Sequence, residues 1–330
     1  MGYINGLKKG DKVATREAYG RGLCELGADH DFAVLDADLA EATKTCYFAK
    51  AFPDRFFDCG IAEGNMIGVA AGRAAAGKPV FASSFAMFAA GRAFEQIRNS
   101  VAYPHLNVKI AATHAGITVG EDGATHQCLE DIALMRVLPS MTVISPADAV
   151  EAVAALKAAL EMTGPCYLRF GRYAVPVLHD PDTYRFEIGK GEVLRDGSDV
   201  TIVANGILVS MALTAADTLA AEGISARVIN IHTVKPLDTE LLCAAAAETG
   251  AVVTAEEHNI IGGLGSAVAE TLAENCPVPM VRVGVRDSFG RSGKVPELLA
   301  LYGLTPEALC DAARRAVAAK KTGKTERNGV

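Results

Sequence analysis

Short runs of β-branched residues alternate with alanine-rich stretches of helical periodicity along almost the entire chain. This alternation is typical of an α/β protein with a mostly parallel sheet. In the first half it predicts strands over residues 32–35, 79–83, 108–112, 142–144 and 166–170. It also predicts helices over residues 14–26, 63–76, 92–102 and 146–160, with Pro146 in the first turn of the last one.

The pattern changes near the middle of the chain, where residues 179–199 are polar, contain Pro and Gly, and lack helical periodicity. Such a segment is typical of a linker between domains. After it, the alternation predicts strands over 200–204, 226–231, 252–255 and 280–283, and helices over 208–222, 238–248 and 265–274, followed by terminal helices. We therefore expect two α/β domains, each a mostly parallel sheet flanked by helices. Their expected bounds are residues 1–185 and 186–319, followed by a polar tail over 320–330 that should fray.

Composition narrows the class of protein. The 330 residues are 50% hydrophobic, and this length suits two cores of about 150 residues each. The formal net charge is −7 and no basic block occurs, which argues against nucleic acid as a partner. There is no secretory signal, and no apolar run reaches the roughly 18 to 20 residues that a membrane span needs. We therefore expect a cytoplasmic protein with no membrane partner.

The cysteines and the common nucleotide motifs exclude several kinds of site. The eight cysteines are scattered and form no CxxC pair, which is typical of reduced thiols and disfavours a structural metal or a disulfide framework. Neither a P-loop nor a GxSxG elbow is present, which argues against a P-loop NTPase and the usual α/β-hydrolase. Residues 262–268 (GGLGSAV) lack the glycine spacing of a dinucleotide site. We assign this turn, together with His232 and His258, to structure.

The segment from residue 58 to residue 130 carries the candidate chemistry. Glu63 lies at a strand-to-helix junction, and Phe85 and Phe88 follow the next predicted strand at a spacing of three. Each has a structural explanation as well, since an acid at a helix start compensates the dipole and an aromatic pair packs in cores. A long glycine-rich loop then follows the strand over 108–112 and contains His114 and His126 with two acids. Loops at the carboxyl ends of parallel strands are where α/β sheets bind ligands, so we expect this loop to be functional.

These motifs together resemble the C-terminal half of transketolases, thiamine-diphosphate enzymes that transfer two-carbon ketol units between sugars. The resemblance rests on five segments of the chain: IAEGN, SSFAMF, THAGITVGEDGATHQ, SPAD and YLRFGR. It extends from about residue 15 to residue 317 and implies a pyrimidine-binding domain followed by a transketolase C-terminal domain. The GEDGATHQ loop disfavours a β subunit of a 2-oxoacid dehydrogenase, which shares this plan. That subunit, a 1-deoxyxylulose-5-phosphate synthase-like enzyme and a non-catalytic scaffold are the alternatives.

The resemblance also implies a partner. Thiamine-diphosphate enzymes hold the diphosphate through a metal on a GDG motif with an Asn downstream, and this sequence contains no GDG. The chain therefore resembles the second subunit of a split transketolase, a transferase that is active only with an N-terminal, diphosphate-binding subunit. That partner would hold Mg²⁺ or Ca²⁺, and no metal ligand is expected in this chain. We expect an α₂β₂ assembly in which this chain also self-associates as β₂.

The resemblance assigns roles around the cofactor's aminopyrimidine ring. Glu63 resembles the catalytic carboxyl group that activates this ring by donating a hydrogen bond, for which it must be protonated. Burial among apolar neighbours favours that form. Phe85 and Phe88 resemble the aromatic pair that holds the ring. Gly91 stands at the position of the family's third aromatic residue, and Phe94 could supply that aromatic contact instead.

Four further residues resemble cofactor and sugar contacts. Asp38 and Leu39, in LDADLA, resemble an acid and a leucine that lie near the cofactor. His126 resembles a catalytic histidine that hydrogen-bonds the donor's hydroxyl groups. Asp122 resembles the residue that recognises an acceptor hydroxyl.

The resemblance places an anion site at the far end of the substrate. His114 and Arg172 resemble the pair that binds the sugar's terminal phosphate, with Arg169 as an alternative to Arg172. The serine that usually assists them is replaced around residues 42–43. The implied substrates are therefore sugar phosphates, with another anion such as a sulfonate left open.

Overall fold

The computed structural model describes residues 3–322, so residues 323–330 of the predicted polar tail lie outside the described residues. The strands of the first half are β1 (Lys12–Ala14), β2 (Ala33–Asp36), β3 (Phe56–Asp58), β4 (Val80–Phe85), β5 (Val108–Thr113), β6 (Thr142–Ile144), β7 (Cys166–Arg169) and β8 (Ala174–Pro176). Its α-helices are α1 (Thr15–Asp29), α2 (Ala40–Thr43), α3 (Cys46–Ala51), α4 (Glu63–Ala75), α5 (Phe94–Gln96), α6 (Asp131–Arg136) and α7 (Ala149–Glu161).

The second half continues the alternation of strands and helices. Its strands are β9 (Glu192–Arg195), β10 (Val200–Ala204), β11 (Ala226–Asn230), β12 (Thr233–Lys235), β13 (Val252–Asn259) and β14 (Met280–Val285). Its helices are α8 (Leu208–Ala221), α9 (Thr239–Thr249), α10 (Leu264–Asn275), α11 (Val295–Leu301) and α12 (Pro306–Thr322). Among residues 3–322, no helix is both long and apolar enough to cross a membrane.

Two large sheets organise the chain. The first has the order β12-β6-β7-β5-β4-β2-β3, and its strands are parallel except for β12, which pairs antiparallel with β6. The second has the order β14-β13-β10-β11-β9, and only β9 runs antiparallel. The predicted α/β class with two mostly parallel sheets is confirmed. Because β12 belongs to the second half of the chain, the two halves are joined by strand pairing as well as by sequence.

The central strands of the first sheet are covered on both faces. Every residue of β2, β4 and β5 is buried, which is typical of parallel strands with helices on both sides. These strands therefore read as nearly continuous apolar runs in the sequence. Their parallel order brings the segments that follow β2, β4 and β5 to one edge of the sheet.

The second part of the segment over residues 179–199 is built into the second sheet, so its prediction as a linker is wrong for that part. Glu192–Arg195 forms β9 and pairs with β11 at the edge of the second sheet. His179 is only 4% exposed, since it forms ion pairs with acids around it. The segment resembles a linker in sequence because polar side chains that pair with each other in the interior give the same hydropathy pattern as polar side chains exposed to water.

Two helix predictions in the first domain also need correction. Helix α7 begins at Ala149, because the Asp148 side chain accepts a hydrogen bond from the Glu151 amide at 2.8 Å and caps the helix. Pro146 therefore precedes the helix instead of lying in its first turn. The helix predicted over 92–102 is interrupted, since π-helical turns over Met87–Arg92 and Ile97–Ala102 flank the short α5. Such turns are frequent at functional sites.

Candidate active site

The candidate site lies where β4 and β5 end. Phe85 is the last residue of β4, and His114 directly follows β5. Their rings stack with centroids 3.7 Å apart. Phe88, one turn beyond Phe85, stacks on Phe85 at 5.6 Å, and His126 contacts Phe88 edge-on at 5.3 Å. We call Phe85, Phe88, His114 and His126 the aromatic cluster; the structure brings together these four predicted residues.

A buried acid is connected to this cluster. Glu63 is the first residue of α4, and its side chain is only 5% exposed. Arg92 donates a hydrogen bond from Nη1 to Glu63 Oε1 at 2.9 Å. The Arg92 guanidinium carbon also lies 4.1 Å from the centroid of the Phe88 ring. The site thus combines a shielded carboxyl group with two aromatic faces, a set that fits a nitrogen heterocycle needing a hydrogen bond and stacking.

The geometry around His114 fixes its proton. Arg16 Nη1 lies 3.0 Å from His114 Nε2, and because arginine can only donate, Nε2 accepts. The ring proton therefore belongs on Nδ1, which lies 2.8 Å from the Thr113 hydroxyl oxygen. Burial, together with the nearby Arg16 and Arg172 guanidinium groups, lowers the pKa of His114 to about 3. His114 is therefore neutral at neutral pH and has both ring nitrogens occupied.

Arg16 is a site residue that the sequence reasoning missed. It lies in the first turn of α1, donates to the Ala42 carbonyl oxygen at 2.8 Å and contacts His114. Burial, and then the charge of Arg172, lower its pKa. A basic residue in a first turn opposes the helix dipole, and this local mismatch is the signal that could have identified it. Arg16 and Arg172 make this end of the site electropositive.

The remaining predicted site residues are Arg172, Asp122, Asp38 and Leu39. Arg172 donates to the Val119 carbonyl oxygen and lies 3.6 Å from the Asp122 carboxylate, and the side chains of this ion pair are 36% and 39% exposed. Asp38 follows β2 in a left-handed turn with φ of 60° and is exposed, with its amide bonded to Asp58 Oδ1 at 3.1 Å. Leu39 is half-buried at the start of α2, and its amide donates to the buried Asp36.

Two alternatives raised by the sequence lie elsewhere. Arg169 is buried and donates to Asp131 at 2.8 Å and to the Glu257 carbonyl oxygen at 2.8 Å, so its charge is already paired. Phe94 packs half-buried against the hydrophobic core, and Gly91 lies in the π-helical turn.

The glycine-rich turn over residues 262–268 begins α10. The first amides of this helix, those of Leu264 and Gly265, donate to the Glu256 carboxylate at 2.6 and 2.8 Å. A buried acid therefore already occupies the place where a phosphate would bind at a helix start. This contact supports the assignment of the turn to structure.

A second polar cluster lies where the two halves meet. His179 Nδ1 lies 3.0 Å from Asp148 Oδ2, and Nε2 lies 2.9 Å from Glu192 Oε2. Glu151 accepts hydrogen bonds from the Asn230 amide at 2.8 Å and from a backbone amide at 2.6 Å. We call Asp148, Glu151, His179 and Glu192 the junction cluster. Within residues 3–322, Glu151, His179 and Glu192 form the group whose spacing could suit a metal, with ligand atoms within 4.8 Å.

Ion pairing accounts for this spacing. Burial lowers the pKa of His179, but the hydrogen bonds to Asp148 and Glu192 outweigh it and raise the pKa to about 10. Burial raises the pKa of Glu151 to about 7. Because both ring nitrogens of His179 are paired with carboxylates, the cluster is an internal ion-pair network.

Comparisons with known proteins agree with this geometry. Residues 11–177 match the family profile "Transketolase, pyrimidine binding domain", and residues 189–309 match "Transketolase, C-terminal domain". A transketolase C-terminal section from Methanocaldococcus jannaschii is 51% identical over 309 residues, covering 93% of this chain and 96% of that protein. The 6-deoxy-6-sulfo-D-fructose transketolase subunit SqwH of a Clostridium species is 49% identical, covering 86% of this chain and 88% of that subunit.

A solved structure agrees over nearly the same length. It is a split gene transketolase, inactive beta4 tetramer, and superposes with a TM-score of 0.88 at 58% identity. The match covers 93% of this chain and 99% of that one. The resemblance given by the motifs is thereby confirmed. The chain belongs to the transketolase family and corresponds to the subunit of a split transketolase that carries the pyrimidine-binding and C-terminal domains.

Proposed function

We propose that this chain forms half of the active site of a thiamine-diphosphate-dependent ketol transferase, with a separate subunit supplying the diphosphate and metal site. The observation that carries the proposal is the buried Glu63 carboxyl group, which Arg92 connects to the stacked rings of Phe85 and Phe88. When bound, the cofactor supplies a carbanion that takes up and releases the two-carbon unit. This chain supplies the acid and the aromatic surface that orient and activate the aminopyrimidine.

Glu63 is the residue proposed to activate the aminopyrimidine ring. As a carboxylic acid it would donate a hydrogen bond to a ring nitrogen of the bound aminopyrimidine, and would so orient and polarise that ring. Its position in the first turn of α4 fixes the carboxyl group, and its burial keeps competing water away. Asp38 and Leu39, at the neighbouring strand end, are proposed to line the cofactor from the β2 side.

The sugar would extend from the aromatic cluster towards the electropositive end of the site. His126, half-buried against Phe88, is placed to hydrogen-bond hydroxyl groups of the donor, and the exposed Asp122 those of the acceptor. Arg16 and Arg172 would bind the terminal anion of the substrate. His114 contributes by holding Arg16, because its own ring nitrogens are occupied.

The substrate's anion is a phosphate or a sulfonate in this proposal. Both present three oxygens that a guanidinium group can bind, and the similarity to the sulfofructose transketolase subunit makes the sulfonate as relevant as the phosphate. Assays with sugars that carry either group decide between them.

The partner in this proposal is an N-terminal transketolase subunit that binds the diphosphate through Mg²⁺ or Ca²⁺, in an α₂β₂ assembly. The candidate site is open on this chain, since the predicted site residues Asp38 and Asp122, and Arg92 beside the buried Glu63, are exposed. A cofactor site shared between two chains explains this openness. The similar split-gene transketolase is inactive as a tetramer of β subunits, which also fits a subunit that needs a partner.

Calorimetry with thiamine diphosphate and Mg²⁺ tests the proposal, first on this chain alone and then on its complex with the co-expressed N-terminal subunit. We expect binding only by the complex. In the complex, Glu63→Gln should lower kcat for ketol transfer by about 10²- to 10⁴-fold, the usual contribution of a positioned acid. The matched control is Glu95→Gln, because Glu95 is an exposed acid on the neighbouring α5.

Two outcomes would contradict the proposal. Tight metal-dependent binding by the single chain would mean that it holds its own diphosphate site. Turnover of a 2-oxoacid with an electron acceptor, or of pyruvate with an aldose phosphate, in place of ketol transfer would instead favour the dehydrogenase or the 1-deoxyxylulose-5-phosphate synthase reaction.

A further inference from the structure

The proposed chemistry makes no use of the contact between Glu63 and Arg92. Arg92 donates to the Glu63 carboxylate at 2.9 Å, although its own side chain is 54% exposed and that of Glu63 only 5%. A carboxylate with so little contact with water needs a partner within the protein. Arg92 meets this need from the solvent side, where its guanidinium group is free to move outwards.

The same guanidinium group also covers an aromatic face. Its carbon lies 4.1 Å from the centroid of Phe88, so Arg92 lies between the acid and the ring. This is the space that an aminopyrimidine must enter if Glu63 is to donate to it while Phe88 packs against it. Arg92 and the aminopyrimidine therefore compete for the same two contacts.

Arg92 lies at the end of a π-helical turn. This turn begins at Met87, and Ala93 leaves the helical conformation with φ of −98° and ψ of 16°. Because the Arg92 side chain is long and 54% exposed, its displacement needs no change in this segment of backbone.

We propose that Arg92 is a placeholder that neutralises Glu63 and covers Phe88 in the cofactor-free chain, and that the cofactor's aminopyrimidine displaces it. This inference rests on the proposed function. A cation at hydrogen-bond distance favours the charged carboxylate, whereas ring activation needs the carboxylic acid. Displacing Arg92 removes that cation.

The cofactor-free chain gives the first test, which needs no activity. Arg92→Gln keeps a hydrogen-bond donor but removes the charge, and should lower the Tm of the full chain by about 2 °C. In an Arg92→Gln/Glu63→Gln double variant this loss should disappear, since no buried charge remains. The control Arg98→Gln changes an exposed arginine in the following π-helical turn and should leave the Tm unchanged. Additive losses in the double variant would overturn the pairing.

The complex with the N-terminal subunit gives the second test. Arg92→Gln should tighten thiamine-diphosphate binding by about fivefold, the factor by which a partly exposed ion pair can oppose the cofactor. Weaker or equal cofactor binding by Arg92→Gln would overturn the placeholder and make Arg92 a cofactor contact or a bystander.

The two proposals fail differently. If the wild-type complex binds no thiamine diphosphate, the proposed function fails, whatever the free chain shows. If the wild type binds it and Arg92→Gln binds no more tightly, only the placeholder fails.

Discussion

The aromatic cluster and the junction cluster each contain a buried histidine, but the two histidines lie in opposite electrostatic surroundings. His114 is bonded to Arg16 with Arg172 nearby, and its pKa falls to about 3. His179 lies between the carboxylates of Asp148 and Glu192, and its pKa rises to about 10. One histidine is therefore neutral among cations, and the other is a cation among acids.

The two clusters also differ in whether their charged groups find partners within the protein. In the junction cluster the His179 cation lies between the carboxylates of Asp148 and Glu192, and the network ties the segment around His179 to α7 and, through Asn230 and Glu151, to β11. At the site, Arg172 pairs with Asp122 at 3.6 Å, whereas Arg16 contacts the neutral His114 ring, so the charge of Arg16 remains for an anion to pair with. Buried charges that are matched within the protein indicate structure, and unmatched ones indicate a ligand.

The largest expected effect is on stability, at the junction cluster. His179→Leu leaves Asp148 and Glu151 buried without their cation and should lower the free energy of unfolding by about 3–5 kcal/mol. Urea unfolding of the full chain at neutral pH measures the loss. His30→Leu changes an exposed histidine and should stay within about 0.5 kcal/mol of the wild type. If the two variants lose the same amount, the junction cluster is not a matched network.

The second effect is on substrate binding, at the aromatic cluster. Arg16→Gln removes the cation that contacts the neutral His114 ring and should raise KM for an anionic sugar by about 10- to 100-fold in the complex, with kcat nearly unchanged. Steady-state kinetics with a charged sugar and with an otherwise similar uncharged one measure the difference. The control is Arg21→Gln in the same helix, which is paired with Glu17 at 2.8 Å. Equal losses for both sugars would show that Arg16 only supports the fold.

The sequence predicted those site residues whose positions follow from local strand and helix patterns. Phe85 and His114 could be placed because they end or follow apolar strands, and parallel strands bring their carboxyl ends together. Arg16 was missed because its contact with His114 joins residues that are 98 positions apart and belongs to no local pattern. The segment around His179 was taken for a linker for the same reason. Its polar residues are satisfied by distant partners, which a single sequence does not reveal.

The third effect is on the pH dependence of stability, and its sign differs between the two histidines. Because the pKa of His114 is lowered, the unfolded chain takes up a proton below pH 6.5 that the folded chain does not accept until about pH 3, so this histidine costs stability on acidification. Because the pKa of His179 is raised, its contribution is fully present below pH 6.5 and is lost as the pH rises through about 10.

A single variant isolates the acid side of this difference. His114→Asn should reduce the stability that is lost between about pH 6.5 and 5 by at most about 2 kcal/mol, and should leave the loss at alkaline pH unchanged. Urea unfolding across the pH range measures the stability lost at acidic pH and the stability lost at alkaline pH. If His114→Asn changes the loss of stability at alkaline pH, the two clusters are coupled.

The smallest expected effect distinguishes residues within the junction cluster itself. The Glu192 side chain is 40% exposed, whereas that of Asp148 is fully buried, so solvent screens the first ion pair to His179 much more than the second. Glu192→Gln should therefore cost less than about 1 kcal/mol in unfolding free energy. Asp148→Asn should cost more, because it also loses charge at the cap of α7 and at the amides of Leu178 and His179. The reverse order would mean that exposure does not govern these pairs, and the contrast between matched and unmatched charges would then need another basis.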